Sequence, residues 1–429
     1  MAWKPSRRAV VGGVAVAAAA GAAIALRPGD RSGPRDPYFL RLQEALSAAG
    51  VGTPALVIDR ARLDANIATL KRALPEGMGY RVVVKSLPSP TLVSRVRAGT
   101  GTDRLMTFNL PMLLAFAAAM PDAGQLLGKP LPILAARSFF AALPAGSRDA
   151  AGRIVWLIDT PERFDQYEQL ALAQGLTLAA AFELDVGLHR GGQVAGPALG
   201  AMYERAKASK ALRFAGLMGY EPHIPSIPDA LGLRQGAIDA AWSAYGAAKD
   251  QARAVLGPAA LDGAILNAAG SPTFRLYKDT AVANEVSVGS ALVKPADFDT
   301  PLLQDFQPAA FIATPVIKTR PDTLLPKGVE FLSTLQSAWD PNSRRTLFIY
   351  GGHWLARPVD PPGLQLNAIF GRSSNQEMLN GGEALAVRPD DTVVFRPTQS
   401  EAVLLQFGDL LVYDGERIVE RWPVLPASA

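Results

Sequence analysis

The sequence predicts an α/β fold in which a (β/α)8 barrel of the TIM type is followed by a second, mainly antiparallel β domain. From about residue 37 to residue 300, short apolar runs rich in β-branched residues alternate with longer alanine-rich amphipathic segments. This alternation is typical of repeated βα units around a parallel sheet. After about residue 300, short alternating runs are separated by turn sequences such as Asn-Gly-Gly and Asp-Gly-Glu, which indicate antiparallel strands.

The predicted elements follow from these two patterns. The barrel strands are predicted at residues 55–58, 81–84, 132–135, 154–158, 178–184, 214–219 and 264–267. Helices are predicted between them at residues 60–74, 161–174, 197–208 and 233–256. The strands of the β domain are predicted at residues 311–318, 346–350, 364–370, 392–396, 402–407, 410–413 and 418–423. In a barrel of this type, functional side chains lie at the carboxyl ends of the strands.

Composition excludes several kinds of site. The chain has 429 residues, of which 49% are hydrophobic and 19% charged, as expected for a globular protein with a large core. It contains no cysteine and three histidines, so disulfides and thiolate ligands are excluded and a metal site would depend on few residues. Three basic residues near the amino terminus (Lys4, Arg7 and Arg8) supply most of the net charge of +4, and 4 − 3 leaves +1 elsewhere. No nucleic-acid surface is therefore predicted.

Residues 1–26 have the pattern of an export signal. The basic start with Arg7 and Arg8 is followed by an uncharged apolar stretch and by Ala23-Ile24-Ala25, a small-x-small cleavage sequence. The arginine pair resembles the twin-arginine class of signal, which exports folded proteins to the periplasm. An uncleaved segment would instead anchor the protein in the inner membrane. No other membrane contact is predicted. We predict a linker and amino-terminal helix over residues 27–50, the barrel over 51–300 and the β domain over 301–429.

Lys85 is the most informative single residue. It ends the apolar run 81–85 and precedes Ser86-Leu87-Pro88-Ser89-Pro90, which continues neither a strand nor a helix. A lysine at the end of a buried strand must offset the cost of its desolvation. A Schiff base with an aldehyde cofactor does so, because burial makes an amine a better nucleophile. The alternative is a lysine that extends from the strand end into water.

Other residues at predicted strand ends carry suitable chemistry. Gly270 and Ser271 can offer hydrogen-bond donors to a phosphate, although an ordinary turn is the better explanation of this motif taken alone. Arg190, flanked by glycines, can place a fixed cation in a site or form a surface ion pair with Glu183 or Asp185. Tyr220 can stack on a ring or substrate, or be an ordinary core tyrosine.

The order of these segments resembles the fold-type III pyridoxal phosphate (PLP) enzymes. Within them it is similar to the branch of D-threonine aldolase and D-serine dehydratase, distant relatives of alanine racemase. The resemblance covers nearly all of the chain after the signal. Its segments are residues 53–59, 63–67, 81–90, 183–192, 214–220, 269–273, 284–290, 351–353, 373–377 and 408–423.

The resemblance implies a PLP-dependent lyase that acts on small D-amino acids, of the aldolase or dehydratase type. Lys85 would carry the cofactor as an internal aldimine and, once released by the substrate, move the α-proton. The resemblance also implies a homodimer. The implied cofactor-binding residues are Lys85, Arg190, Tyr220, Asn267, Gly270 and Ser271, and the implied catalytic residues are Lys85, Tyr220 and His223.

The sequence departs from the family at the implied metal ligands. Family members hold a divalent metal through a histidine and an aspartate or cysteine two residues later, and these positions are Gln399 and Glu401 here. This pair is poor for zinc and would hold Mg²⁺, Ca²⁺ or Mn²⁺ only weakly. Two alternatives therefore stay open: a periplasmic amino-acid racemase with Tyr220 or His223 as the second acid/base, and a PLP-binding homologue without catalytic activity.

Overall fold

The computed structural model describes residues 27–143, 148–367 and 369–427, and the predicted export signal over residues 1–26 lies outside them. The chain divides into two compact units. One comprises residues 55–311 and 397–429, and the other comprises residues up to 54 together with 312–396. Within the described residues, no helix is long and apolar enough to cross a membrane.

The larger unit contains a closed eight-stranded parallel barrel, which confirms the predicted fold class. A first strand, β1 (Ala55–Asp59), precedes the barrel. The barrel strands are β2 (Gly79–Val83), β3 (Arg104–Thr107), β4 (Gly124–Leu127), β5 (Ile154–Ile158), β6 (Leu178–Leu184), β7 (Leu212–Gly219), β8 (Ile265–Ala268) and β9 (Glu285–Val288). The barrel closes where β9 pairs with β2, with Ser287 beside Arg81.

The helices of this unit are Arg60–Ala73, Pro90–Thr100, Leu110–Ala119, Ile133–Ala142, Arg148–Gly152, Pro161–Gln174, Pro197–Ala208 and Leu233–Leu256. Several begin at a side-chain cap in the loop that follows a strand. Ser89 accepts a hydrogen bond from the Leu92 amide, and Thr160 accepts one from the Arg163 amide, each with proline at the first helical position. Such caps fix where the helix begins and keep the connection from the preceding strand short.

The barrel strands differ from the prediction in several places. Residues 132–135 belong to the helix Ile133–Ala142 and not to a strand, because a short apolar run rich in alanine and leucine fits either element. Strands β3, β4 and β9 were not predicted; each has only four residues and includes a polar one, such as Arg104, Gln125 or Glu285. The predicted first barrel strand forms as β1 but pairs with a carboxy-terminal strand outside the barrel.

The smaller unit is a mainly antiparallel sheet, as predicted. Its strands are β10 (Ala310–Arg320), β11 (Arg345–Tyr350), β12 (Ala356–Asp360), β13 (Gln365–Leu366), β14 (Gln376–Gly381) and β15 (Thr392–Pro397), and its helices are Pro37–Ala48 and Leu332–Trp339. Strand β10 pairs antiparallel with β11 and β15, and β11 pairs antiparallel with β14. Strands β12 and β14 were not predicted, and of the residues described within the predicted strand 364–370, only Gln365–Leu366 form a strand.

Residues 397–429 group with the barrel and not with the sheet that precedes them. Strand β16 (Leu410–Tyr413) runs parallel to β1, and β17 (Ile418–Trp422) runs antiparallel to β16. The predicted strand 402–407 is wrong, because these residues form consecutive turns that begin at Ser400. This arrangement brings Glu401 to the barrel.

A buried ion pair occupies the barrel interior. Arg81 on β2 donates two hydrogen bonds to the carboxylate of Glu285 at the start of β9, at 2.6 and 3.0 Å. It also donates to the carbonyl oxygens of Leu105 and Gly124, while Arg104 adds a bond of 2.9 Å to Glu285. Burial alone would raise the pKa of Glu285, but the two arginines and their hydrogen bonds lower it. The charge-assisted hydrogen bonds of this pair thus connect four strands of the barrel, β2, β3, β4 and β9.

Candidate active site

A cavity of about 620 Å³ opens among the loops that follow the barrel strands. Its volume is in the range of small-molecule sites. Six predicted site residues line it: Lys85, Arg190, Tyr220, Asn267, Gly270 and Ser271. Glu401, from the carboxy-terminal segment of the same unit, lines it as well. The carboxyl ends of the strands thus carry the candidate site, as predicted for this fold.

Lys85 lies in a single helical turn, Val84–Ser86, directly after β2. Its Nζ is 3.5 Å from Glu401 Oε1 and 4.9 Å from the centroid of the Phe108 ring. The side chain is 41% exposed, so the expectation that it is buried is wrong. The strand end is buried, but the side chain extends into the cavity, where the amine is accessible to a ligand.

Three serine hydroxyls surround the carboxylate of Glu401. Ser86 Oγ donates to Glu401 Oε1 at 2.8 Å, Ser400 Oγ donates to Oε2 at 3.1 Å, and Ser290 Oγ lies 3.4 Å from Oε1. Ser290 also donates to Ser86 at 2.9 Å. Burial would raise the pKa of Glu401, but Lys85 and these hydrogen bonds outweigh it and lower the pKa. Glu401 is therefore charged at neutral pH.

Arg190 and Tyr220 lie together on one wall. The Arg190 guanidinium is 5.2 Å from the centroid of the Tyr220 ring, a distance at which a cation and an aromatic face attract. Burial and the neighbouring Glu221 raise the pKa of Tyr220 to about 12, so its hydroxyl keeps its proton at neutral pH. Burial also raises the pKa of Glu183, with Arg190 opposing the shift.

The segment after β8 forms a tight loop. Ala269 has a positive φ of 62°, and a Cβ on Gly270 would lie 2.6 Å from the Tyr220 ring, so only glycine fits there. Ser271 Oγ accepts hydrogen bonds from the backbone amides of Gly289 and Ala291 at 3.3 and 3.0 Å. Its hydroxyl hydrogen can then be donated to a ligand, as an anion site requires.

Asn267 connects the cavity to the ion pair in the barrel interior. Its amide donates to Glu285 Oε1 and to Ser287 Oγ, both at 2.8 Å, and Ser287 donates back to its oxygen at 3.1 Å. These bonds fix the orientation of Asn267, which is 1% exposed. A side chain held in this way is preorganised for a ligand.

Two predicted site residues do not line the cavity. His223 packs beside Gly187, where a Cβ would lie 3.5 Å from its Nε2. Burial lowers the pKa of His223, with a further contribution from His189. Gln399 is exposed, and its amide donates to Asp297 at 3.2 Å. The roles assigned to both residues stay predictions.

The donor set around Glu401 does not fit a divalent metal. Lys85 places a positive charge 3.5 Å from the carboxylate, and the amide of Gln399 is bonded to Asp297. Among the residues that the structure describes, no group of three or more histidine, cysteine or acidic side chains could hold a metal ion. Metal ligands must be free of such competing cations and present their lone pairs together.

The cavity does fit PLP. It offers an accessible amine at Lys85, a hydroxyl donor at Ser271, and the aromatic ring of Tyr220. A Cβ on Gly289 would lie 2.6 Å from the Val83 carbonyl oxygen, so this loop approaches the strand of Lys85 as closely as glycine allows. Sequence reasoning missed the contacts of Ser290, Ser400 and Phe108, because no local pattern marks residues that meet only when the barrel closes.

Comparisons with solved structures agree with the fold. The chain resembles D-threonine aldolase from Filomicrobium marinum at a TM-score of 0.69 and 19% identity, over 87% of this chain and 95% of that one. It resembles D-threo-3-hydroxyaspartate dehydratase from Delftia sp. HT23 at 0.69 and 17%, over 88% and 98%. Alanine racemase from Bacillus anthracis, with bound L-Ala-P, gives 0.62 and 12%, over 87% and 98%.

A search of curated proteins gives no match. The family model described as the N-terminal domain of alanine racemase matches residues 58–297, which is more than half of the chain and contains all eight barrel strands. The chain therefore belongs to the alanine racemase N-terminal domain family of fold-type III PLP enzymes.

Proposed function

We propose that this protein is a PLP-dependent lyase that acts on D-amino acids, of the aldolase or dehydratase type. One observation carries the proposal: the amine of Lys85 and the donor loop at Ser271 line a single cavity at the carboxyl end of the barrel. The choice of a lyase rests on the resemblance of the motifs. It is further supported by the structural likeness to a D-threonine aldolase and a dehydratase.

Specific residues would hold the cofactor. Lys85 would bind its aldehyde covalently, Gly270 and Ser271 would hold its phosphate, and Arg190, Tyr220 and Asn267 would contact its ring. When bound, PLP supplies an electron sink that stabilises negative charge at the substrate Cα.

The chain's own residues prepare the site for proton transfer. Glu401 and the Phe108 ring hold the Lys85 amine at one wall of the cavity. Lys85 is thereby placed to move the α-proton as a general acid and base. The apolar side chains of Phe108, Met112, Phe298 and Leu405 line the same cavity and reduce its water content, which strengthens these electrostatic contacts.

An absorbance spectrum with product analysis tests the proposal. PLP-loaded protein is expected to show a band near about 410–430 nm, typical of a lysine adduct. Lys85→Met should remove this band and the mass added by borohydride reduction. D-threonine should give glycine and an aldehyde, or D-serine should give a keto acid and ammonia. A wild-type protein without the band would contradict the proposal.

A racemase is the second candidate, because Tyr220 lines the same cavity as Lys85 and its hydroxyl could serve as the second acid. Tyr220→Phe distinguishes the two. In a racemase it should abolish formation of the other enantiomer, whereas in a lyase it should leave cleavage of D-threonine within about tenfold of wild type, below the usual 10²-fold minimum contribution of a general acid. Bound PLP without turnover of any D-amino acid would instead indicate a PLP-binding homologue without activity.

We also propose that the protein is exported to the periplasm and acts as a homodimer. Arg7 and Arg8 followed by the apolar stretch support the first part, and family likeness supports the second. Replacement of both arginines by lysine should leave the protein in the cytoplasm of fractionated cells. Light scattering on the mature protein should give twice the chain mass.

A further inference from the structure

The Glu401 cluster, made of Glu401 with Ser86, Ser290 and Ser400, joins three segments that are far apart in the sequence. Ser86 follows β2, Ser290 follows β9, and Ser400 lies in the carboxy-terminal segment. Ser290 Oγ is 2.9 Å from Ser86 Oγ and 3.2 Å from Ser400 Oγ, so the hydroxyls contact each other as well as the carboxylate. Ser86, Ser290 and Ser400 are all buried, while Glu401 lines the cavity.

This arrangement fixes an acceptor in the wall of the cavity. The hydroxyls of Ser86 and Ser400 donate to different oxygens of Glu401, which holds the carboxylate in one orientation. A carboxylate has about four acceptor positions. The hydroxyls therefore orient the group without using its full capacity, and Glu401 can accept a further hydrogen bond from a ligand in the cavity.

We propose that the Glu401 cluster is a metal-independent subsite that accepts a hydrogen bond from a hydroxyl or ammonium group on the substrate side chain. The proposal rests on the proposed function, because the substrate must be an amino acid bound in this cavity. The Glu401 carboxylate would recognise the donor group on the substrate side chain, and the three serine hydroxyls would hold that carboxylate in place. The same arrangement is unfavourable for a divalent ion, because the Lys85 amine already places a positive charge 3.5 Å from the carboxylate.

Selectivity should follow from the charge of Glu401. A hydrogen bond to a charged group contributes about 10- to 100-fold in binding. An amino acid with a methyl group in place of the donor would displace water from the carboxylate without donating a hydrogen bond to it, which is unfavourable. An acidic side chain would be repelled, so aspartate-like substrates should bind most weakly.

Pairs of near-isosteric ligands test the subsite. D-threonine is compared with D-valine, and D-lysine with D-norleucine, by rapid-mixing absorbance titration of the PLP-loaded protein. Wild type is expected to bind D-threonine about 10- to 100-fold more tightly than D-valine, and D-lysine more tightly than D-norleucine by a similar factor. Glu401→Leu should bring both ratios close to one, and Glu401→Gln should reduce the D-lysine ratio more than the D-threonine ratio. The matched control, Glu416→Gln, changes an exposed acid in the same unit and should leave both ratios unchanged.

The metal-independent part is tested on the cofactor-free chain. Calorimetric titration with Mn²⁺ is expected to show no saturable binding that depends on Glu401. Replacing Gln399→His together with Glu401→Asp restores the family pattern and serves as the comparison. Mn²⁺ binding lost in Glu401→Gln, or donor selectivity lost after treatment with EDTA, would overturn the proposal.

The failure of this inference is distinguishable from that of the proposed function. A wild-type protein that shows no PLP band overturns both. A protein that shows the band but has ratios near one, or keeps its ratios in Glu401→Leu, overturns the subsite alone. Circular dichroism checks that Glu401→Leu is folded; if it is not, the larger loss of the D-lysine ratio than of the D-threonine ratio in Glu401→Gln tests the subsite.

Discussion

Two ion pairs, whose basic residues lie four positions apart in the chain, differ in distance, in exposure and in the number of hydrogen bonds. One lies in the barrel interior and the other at the candidate active site. Arg81 and Glu285 are 2.6 Å apart, with side chains 3% and 1% exposed. Lys85 and Glu401 are 3.5 Å apart, with side chains 41% and 28% exposed. The first pair is doubly bonded inside the barrel, and the second is singly paired at the cavity. The tightly bonded Arg81–Glu285 pair thus lies in the barrel interior, and the Lys85 amine stays accessible in the cavity.

The largest effect is expected from breaking the inner pair. Arg81→Met leaves the buried carboxylate of Glu285 without its main partner and should lower the free energy of unfolding by about 3–5 kcal/mol. Urea denaturation followed by circular dichroism measures the loss. Arg104→Met is the control: its side chain is 46% exposed, and it should cost at most about 1 kcal/mol. Equal losses of unfolding free energy in Arg81→Met and Arg104→Met would contradict the main role given to Arg81 in pairing Glu285.

A smaller effect is expected at the close contact beside the cavity. Gly270→Ala places a Cβ 2.6 Å from the Tyr220 ring, which must shift, and should cost about 1–3 kcal/mol together with weaker PLP binding. Denaturation and a PLP titration measure the two effects. Gly246→Ala, in the helix Leu233–Leu256 with nothing within 4 Å, should be neutral or stabilising. Unchanged PLP affinity in Gly270→Ala would count against the proposed phosphate loop.

The inner pair should also show a pH dependence. The pKa of Glu285 is lowered in the folded protein, so its charged form stabilises the fold. This contribution is complete above the ordinary glutamate pKa of 4.5 and is lost as the pH falls through the lower pKa of the folded state. The difference in unfolding free energy between wild type and Glu285→Gln should therefore be largest near neutral pH and shrink under acid. A difference that stays constant from about pH 7 to pH 3 would refute this account.

The smallest effect on stability is expected from the outer pair. Lys85→Met removes one exposed, singly paired cation and should change the free energy of unfolding by about 1 kcal/mol or less. The same variant should lose the PLP band entirely. Denaturation and absorbance on one sample test both statements. A loss as large as that of Arg81→Met would show that Lys85 is a structural residue.

The sequence predicted the parts of the fold that repeat a pattern. The alternation of apolar runs with alanine-rich segments predicted the barrel, and the turn sequences predicted the antiparallel sheet. It failed where a pattern is short or ambiguous. Residues 132–135 are helical, and β3 and β4 have four residues each, so neither length nor periodicity distinguishes them.

The sequence alone determined the order of the chemical groups: Lys85 after the second strand, Arg190 and Tyr220 in the middle, and Gly270 and Ser271 after the eighth. Lys85, Tyr220, Gly270 and Ser271 lie within a few residues of a strand end, and strand ends can be identified locally; Arg190 lies in the loop after β6. Only the tertiary structure decided that Glu401 pairs with Lys85 and that Ser290 and Ser400 join it. Lys85, Ser290 and Glu401 are separated from one another by more than a hundred positions in the chain, and only folding brings them together. No local periodicity records such a contact.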